Sequence, residues 1–280
     1  MRFSVRHQTI YRYSAPVRLA AHALRLNPRP DAGVLVSRVL AIEPEPIFRG
    51  ETIDRFGNLV TRVDFAGLSE IFRIDSRFEV DVAPAPAPLG EPPPALPWGS
   101  DTRDPNAAFL NGDDADGAVR AFARKLAVES EGDALPFLDR LNETLYRDIR
   151  HDIRPEGAAR PPEETLALGH GACRDVTVLF LAACRSLGIP ARFVSGYQAH
   201  ADTPDGRRHL HAWPEAFVPG LGWRAYDPTH GVEVSDGHVA LCAAPNQVAT
   251  MPVEGGFFGE GVTCNYPPSC LLPLATGRDV

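Results

Sequence analysis

The beginning of the chain alternates between apolar and polar positions, the pattern of strands with one buried face. In 2–13 every second residue is apolar or favours β-structure, and 71–82 repeats the alternation. An apolar run at 35–42 is also typical of a strand, and 54–64 carries a Gly-Asn turn signal between strand-like flanks. Alternation of period two indicates half-buried strands, and Gly-Asn favours tight turns. We therefore predict that residues 1–82 form a β-rich domain.

Apolar positions spaced by three and four residues take over further along the chain, which predicts helices. Three helices are expected, at 115–131, 134–150 and 173–187. Gly188 and Pro190 follow the third one, as glycine and proline commonly do beyond a helix end. Three strand-like segments come next, at 191–199, 211–218 and 223–227. Pro214 lacks a backbone N–H, so strand pairing on one side of the second segment is expected to stop there.

A proline-rich segment, APAPAPLGEPPPALPW at 83–98, separates the two patterns. Such a composition favours a stiff, extended backbone and is typical of a spacer. We therefore predict three parts: the β-rich domain at 1–82, a linker at 83–98 and a second domain at 99–280. From 236 onward the sequence is rich in glycine and proline and shows only short strand-like pieces.

Composition and charge narrow the possible partners and location. The chain has 280 residues and a formal net charge of −8, which argues against nucleic acid as the main partner because phosphate binding needs a basic face. The sequence contains no apolar run of the length of a membrane span, so no membrane partner is expected. No apolar stretch follows the charged N-terminus, which predicts no secretory signal. Five cysteines, an odd number, favour a reduced, cytoplasmic setting.

Cys173 is the most informative position for chemistry. It opens the predicted helix 173–187, where unpaired N–H groups and the helix dipole stabilise a thiolate and can bind an oxyanion. A small buried side chain is the competing interpretation, because free cysteines are often buried. Cys184 lies about three turns deeper in the same helix. It is surrounded by apolar residues, so we predict that it is a buried structural cysteine.

His211 and Asp227 are brought together if the strands 211–218 and 223–227 form a hairpin. The register that we expect places His211 opposite Asp227, at the open end of that hairpin. A carboxylate that holds one imidazole nitrogen fixes the tautomer and leaves the other nitrogen to face a thiol. The sequence thus predicts a site of Cys173, His211 and Asp227.

Two stretches resemble a known family. They are GACRDVTVLFLAACRSLGIPARFVSGY, from Gly171, and HAWPEAFVPGLGWRAYDPTHG, from His211. Both resemble the transglutaminase-like superfamily, and the opening RFSVRHQTIYRYSAPVRLAAHALRLNPRP is similar to the N-terminal β-rich region of bacterial members. The resemblance implies an α+β fold, in which a papain-like core packs the nucleophile-bearing helix on an antiparallel sheet. It also implies that Cys173 is the nucleophile and an oxyanion donor through its N–H, that His211 is the general base and then acid, and that Asp227 orients the imidazole.

These roles imply acyl transfer on a peptide or protein amide through a thioester. Water as the acceptor makes a cysteine peptidase or amidase, which we favour, and an amine makes a protein-glutamine transglutaminase. Animal-type members of the family use calcium, but the sequence shows no EF-hand or clustered acidic loop. We therefore expect no cofactor and no metal. The same resemblance implies that Trp213 and Trp223 pack near the site, whereas Asp175 suits the first turn of the helix as a structural residue.

Two alternatives from other classes stay open. A zinc site could draw on His170, Cys173, His209 and His211, although the Cys-x2-Cys pairs of common zinc sites are absent. A non-catalytic binding module could keep the same fold, because a fold alone does not fix an activity.

Overall fold

The computed structural model of the protein describes six stretches of the chain: residues 1–84, 93–99, 105–111, 115–154, 157–199 and 209–265. Half of the predicted linker, residues 85–92, lies outside the described residues. In the described stretches no helix combines the length and apolar character needed to cross a bilayer. These stretches contain four α-helices: α1 Gly117–Glu129, α2 Ala134–Asp148, α3 Pro162–Leu168 and α4 Cys173–Ser186.

Six strands form the N-terminal part of the chain. They are β1 Arg2–Leu19, β2 His22–Leu24, β3 Val34–Glu43, β4 Phe48–Ile53, β5 Leu59–Asp64 and β6 Ser69–Asp81. β1 and β6 pair antiparallel along most of their length, and β3 pairs antiparallel with the other edge of β6. The alternating apolar residues of β6, Phe72, Ile74, Phe78 and Val80, are almost fully buried. The strand pattern predicted from the sequence is therefore confirmed.

The predicted Gly-Asn turn joins β4 to β5. Asp54 accepts backbone N–H bonds from Phe56 and Asn58, and Gly57 takes a left-handed φ of +82°. Glycine adopts this conformation without steric cost, which explains the residue at this position.

Ten further strands follow β6 in the part of the chain that the structure describes. They are β7 Arg150–His151, β8 His170–Gly171, β9 Ala191–Gln198, β10 His211–Val218, β11 Gly222–Asp227, β12 Val232–Glu233, β13 His238–Ala244, β14 Val253–Glu254, β15 Phe257–Phe258 and β16 Cys264–Asn265. Five of them form an antiparallel sheet in the order β12-β11-β10-β9-β13. The apolar stripe of α4, Val176, Leu179, Phe180 and Ala183, is buried with Leu187, the residue after the helix, in a core shared with α1, α2 and this sheet. The fold is therefore α+β, as the sequence predicted.

The hairpin of β10 and β11 differs from the predicted register by two residues. Glu215 pairs with Ala225 and Val218 with Gly222, because the chain turns over three residues and Gly222 already belongs to β11 at φ +76°. The predicted turn includes Gly222, which the structure assigns to the strand. A shift of two residues keeps every side chain on its original face, so His211 and the end of β11 still share a face.

Pro214 lies where one pairing stops, as expected. The ladder between β10 and β11 begins at Glu215, whereas the ladder between β10 and β9 runs through Pro214, which pairs with Phe193. The missing N–H therefore costs the sheet little.

β13 is a full strand of the central sheet that the sequence pattern did not reveal. Its residues are almost all apolar and do not alternate, because both faces of the strand are covered. Val239 and Leu241 pack in a cluster with Phe3, Val80 and other N-terminal residues, whereas Ala243 packs with Trp213 of β10. The short strands β14, β15 and β16 continue past β13 and pair with β1 and β2.

The described end of the predicted linker lies against the second half of the chain. The Trp98 N–H donates to the Leu187 carbonyl at the end of α4. A Cβ on Gly188 would lie 2.2 Å from the Trp98 carbonyl oxygen, and the residue has φ +78°. Only glycine fits both demands. The boundaries at 82 and 98 themselves stay a prediction.

Candidate active site

Cys173 is the first residue of α4, as the sequence predicted. The preceding Ala172 has no polar side chain, so the N-terminus of α4 is capped by a residue of the helix itself. The buried carboxylate of Asp175 accepts the Ala172 N–H at 2.8 Å and is held in turn by Arg154 at 2.5 Å. Asp175 is therefore structural, as predicted. A Cβ on Gly171 would approach the Asp175 Cβ to 2.9 Å, so the spacing Gly171-x-Cys173-x-Asp175 is a packing requirement of this cap.

The thiol of Cys173 contacts the imidazole of His211, the first residue of β10. Burial alone would raise the pKa of the Cys173 thiol, but the hydrogen bond and charge of His211 outweigh it and lower the pKa below its usual range. The Ala212 N–H adds a smaller contribution in the same direction. A thiol with this environment forms a thiolate more readily than an ordinary cysteine.

His211 is held by Asp227 on the side away from the thiol. Its Nε2 lies 2.8 Å from Asp227 Oδ2, and both residues are buried. Nδ1 is therefore the nitrogen left to exchange a proton with Cys173. Burial would lower the pKa of His211, but the Asp227 carboxylate, with a contribution from Cys173, raises it to about 10. The structure thus brings together the three residues predicted from the sequence.

The carboxylate of Asp227 has more partners than the sequence indicated. Besides His211, His230 Nδ1 lies 2.8 Å and His238 Nε2 3.0 Å from the same oxygen, Oδ2. The Thr229 N–H donates to the other oxygen, Oδ1, at 3.1 Å. Burial would raise the pKa of Asp227, yet the charge and hydrogen bond of His211, with the hydrogen bonds of His230 and His238, hold it well below its usual range. Asp227 is accordingly a fully buried, ionised carboxylate.

His230 and His238 were missed by the sequence argument. His230 follows Asp227 by three residues within the motif DPTHG, and a signal for it was present in that spacing. His238 lies eleven residues after Asp227, on a strand whose existence the pattern did not show. Nothing in the linear sequence indicated that its side chain reaches Asp227.

Of the other singled-out residues, Cys184 and Trp213 lie as expected, whereas Trp223 does not pack near the site. Cys184 is fully buried, and burial raises the pKa of its thiol far above its usual range. Trp213 is buried against Val194 and Ala243. Trp223 packs between the rings of Phe109 and Phe217 and under the guanidinium of Arg192. Both tryptophans contribute packing, but Trp223 pairs with Phe217 at the turn end of the hairpin, and His211 lies at the opposite end of β10.

The residues considered for zinc do not gather in one place. His170 pairs with Asp152, and His209 precedes β10 and is exposed. In the described part of the chain, the group with the spacing of metal ligands is His211, Asp227 and His230, whose donor atoms lie within 4.8 Å of one another. The hydrogen bonds from the two imidazoles to Oδ2 account for this spacing.

Two family models match the chain and confirm the family that the motifs predicted. Residues 3–81 match the bacterial transglutaminase-like N-terminal region, and residues 120–228 match the transglutaminase-like superfamily. The chain therefore belongs to the transglutaminase-like superfamily.

Similar proteins extend over most of the chain. An uncharacterized protein of Mycobacterium tuberculosis is 27% identical over 275 residues, which cover 91% of this chain and 87% of the relative. An uncharacterized protein of Mycobacterium leprae is 26% identical and covers 94% of this chain and 95% of the relative.

A protein-glutamine gamma-glutamyltransferase of Pseudomonas aeruginosa is 38% identical over 68 residues, only 22% of this chain and 10% of that enzyme.

A solved structure shares the whole architecture. It is a candidate cysteine protease from Cytophaga hutchinsonii, with a TM-score of 0.68 and 18% sequence identity. The alignment covers 95% of this chain and 90% of that one. At this identity the comparison shows the fold, including the N-terminal β-rich part.

Proposed function

We propose that the protein is a cysteine peptidase or amidase that acts through Cys173, His211 and Asp227. The observation that carries the proposal is the continuous series of contacts from the Cys173 thiol to the His211 imidazole and on to the buried Asp227 carboxylate. In this series the pKa of the Cys173 thiol is lowered and the pKa of the His211 imidazole is raised. Perturbed pKa values of this kind, at groups in mutual contact, are typical of functional sites.

The first half of the reaction forms a thioester. The Cys173 thiolate attacks the carbonyl carbon of an amide, and the negative charge passes to the carbonyl oxygen. The Cys173 N–H, at the positive end of α4, is a donor for this oxygen. The C–N bond then breaks, and the His211 imidazolium gives its proton to the leaving amine. Asp227 keeps the imidazole in the tautomer and orientation that this transfer requires.

The second half of the reaction regenerates the thiolate. His211, now neutral, accepts a proton from water as the water oxygen attacks the thioester carbon. The C–S bond breaks, a carboxylic acid leaves, and the Cys173 thiolate and His211 imidazolium are restored. Each step uses residues of this chain and water, so the proposal includes no metal or cofactor.

Transfer to an amine is the second candidate. It is supported by the 38% identity with the Pseudomonas aeruginosa glutamyltransferase over 68 residues. The thioester is the same in both reactions, and only the acceptor differs. The relative access of water and amine to the thioester decides between them.

Product analysis tests the proposal and separates the two acceptors. Peptide libraries and glutamine-containing proteins are incubated with the protein, with and without a fluorescent primary amine, and the products are identified by mass spectrometry. We expect new carboxyl groups with the wild type and none with Cys173→Ala, whereas Cys184→Ala, the matched control in the same helix, retains the activity. Amine incorporation in place of new carboxyl groups would establish the second candidate. A Cys173→Ala variant as active as the wild type would refute both.

A further inference from the structure

His238 is a third imidazole on the carboxylate that holds His211. Its Nε2 lies 3.0 Å from Asp227 Oδ2, and its side chain is 6% exposed. The ring packs edge to face on Trp213, with 5.2 Å between ring centroids. A buried ring fixed by a neighbour in this way has little freedom to leave the carboxylate.

The surroundings of His238 settle where its proton lies. Burial is the main effect that lowers the pKa of His238; Asp227 opposes it, and the nearby His211 and His230 add to it. The imidazole is therefore neutral at pH 7 and carries one proton. Its Nδ1 is buried and has no hydrogen-bond partner among the described residues. The proton consequently resides on Nε2, because an unprotonated Nε2 would direct its lone pair at the carboxylate.

We propose that His238 is a positioning residue that orients the Asp227 carboxylate toward His211. The inference rests on the proposed role of Asp227. An ionised carboxylate can rotate about its last bond, and a donor fixed on a different strand removes that freedom. With His238 on one side and the Thr229 N–H on the other oxygen, Oδ2 stays directed at His211 Nε2.

The strand that carries His238 is itself fastened by the N-terminal part of the chain. The buried side chain of Asn58 accepts the Ala243 N–H at 2.8 Å and donates to the Ala243 carbonyl at 2.9 Å. The Arg29 N–H donates to the Ala240 carbonyl at 2.9 Å. β13 is an edge strand of the central sheet, so these bonds complete its free edge. The N-terminal part thereby supports the site through β13 and His238.

Two substitutions at one position separate orientation from packing. His238→Gln keeps an N–H donor near the position of Nε2, whereas His238→Leu fills space without one. The matched control is His22→Leu, because His22 is also buried, contacts aromatic rings and makes a hydrogen bond with a backbone carbonyl in the N-terminal core. The probe is iodoacetamide, and the readout is the pH dependence of Cys173 labelling, measured by mass spectrometry without any substrate.

We expect labelling of Cys173 at pH 6 to fall about tenfold in His238→Leu, the effect of losing one hydrogen bond to a charged group, and its midpoint to move to higher pH. The Gln variant should stay within about threefold of the wild type, and His22→Leu should leave the profile unchanged. Equal profiles for Leu, Gln and the wild type would overturn the proposal. A failure of the proposed amide chemistry would instead appear as normal labelling without turnover.

Nitrogen NMR of the wild type tests the same proposal if the Leu variant does not fold. With isotope-labelled histidine, His238 is expected to be neutral and protonated at Nε2 at pH 7 and above. A proton at Nδ1, or a doubly protonated ring, would contradict the proposed donor.

Discussion

Replacement of Asp227 by asparagine removes the carboxylate charge that lies 2.8 Å from His211 Nε2. The side chain keeps its size, so the change is mainly electrostatic. Asp227 Oδ2 lies within 3.0 Å of nitrogens of His211, His230 and His238. An amide presents an N–H where the carboxylate presented an acceptor, so at least one donor, either an imidazole at Oδ2 or the Thr229 N–H at Oδ1, then loses its partner.

The size of the effect follows from the pKa of His211, which is about 10 in the wild type. An opposite charge within about 4–6 Å shifts a pKa by roughly 1–3 units. Asp227→Asn should therefore lower the pKa of His211 to roughly 7–9. Each unit corresponds to about 1.4 kcal/mol, so the carboxylate stabilises the imidazolium by roughly 1.4–4 kcal/mol. Activity should fall by up to about 10⁴-fold, as in serine-protease triads that lose their acid.

The assay is an NMR titration of the His211 side chain in histidine-labelled protein. The resonance is assigned by its loss in His211→Gln. Asp152→Asn is the matched control, because Asp152 is a carboxylate that pairs with another histidine, His170. We expect this control to leave the pKa of His211 within about half a unit of the wild type.

An unchanged pKa of His211 in Asp227→Asn would refute this reasoning. It would mean that the hydrogen bond between the two residues does not hold the imidazolium, and the acid of the site would have to be sought elsewhere. A large loss of activity in Asp152→Asn with a shifted pKa of His211 would point to Asp152 as that acid.

Three further predictions concern stability and are checked by chemical denaturation. Cys184→Ser should lower the free energy of unfolding by about 1–3 kcal/mol, because it buries a hydroxyl among apolar residues; no loss would contradict the buried position of Cys184. Asn58→Ala should cost about 2–4 kcal/mol, because it leaves the N–H and carbonyl of Ala243 without their buried partner; a neutral result would refute the support of β13. Gly188→Ala should cost at least about 1 kcal/mol from its positive φ, and a stabilised variant would show that the contact with Trp98 gives way.

The sequence predicted those parts of the structure whose pattern is local. The stripe of α4 has the spacing of one buried helix face, and β6 alternates because only one of its faces is buried against the core. β13 has neither pattern, because the N-terminal strands cover one face and Trp213 the other. Its place in the sheet depends on residues far away in the chain, which periodicity cannot report.

The residues of the site likewise divide into those with a local sequence signal and one that has none. Cys173 could be predicted because a helix start has its own sequence signals, and His211 and Asp227 because their strands adjoin in sequence. Their contact survived an error in register, since a shift of two residues preserves the face. His238 could not be predicted, because its contact with Asp227 depends on the placement of β13. The cytoplasmic location predicted from the cysteine count stays a prediction.

The central claim is that Cys173 and His211 form an activated pair. The most direct test is the pH dependence of iodoacetamide labelling, measured cysteine by cysteine in the wild type and in His211→Ala. We predict fast labelling of Cys173 below pH 7, a marked slowing in His211→Ala, and little labelling of the buried Cys184 in either protein. Slow labelling of wild-type Cys173 with the profile of an ordinary thiol, unchanged by His211→Ala, would contradict the account and favour a non-catalytic module on this fold.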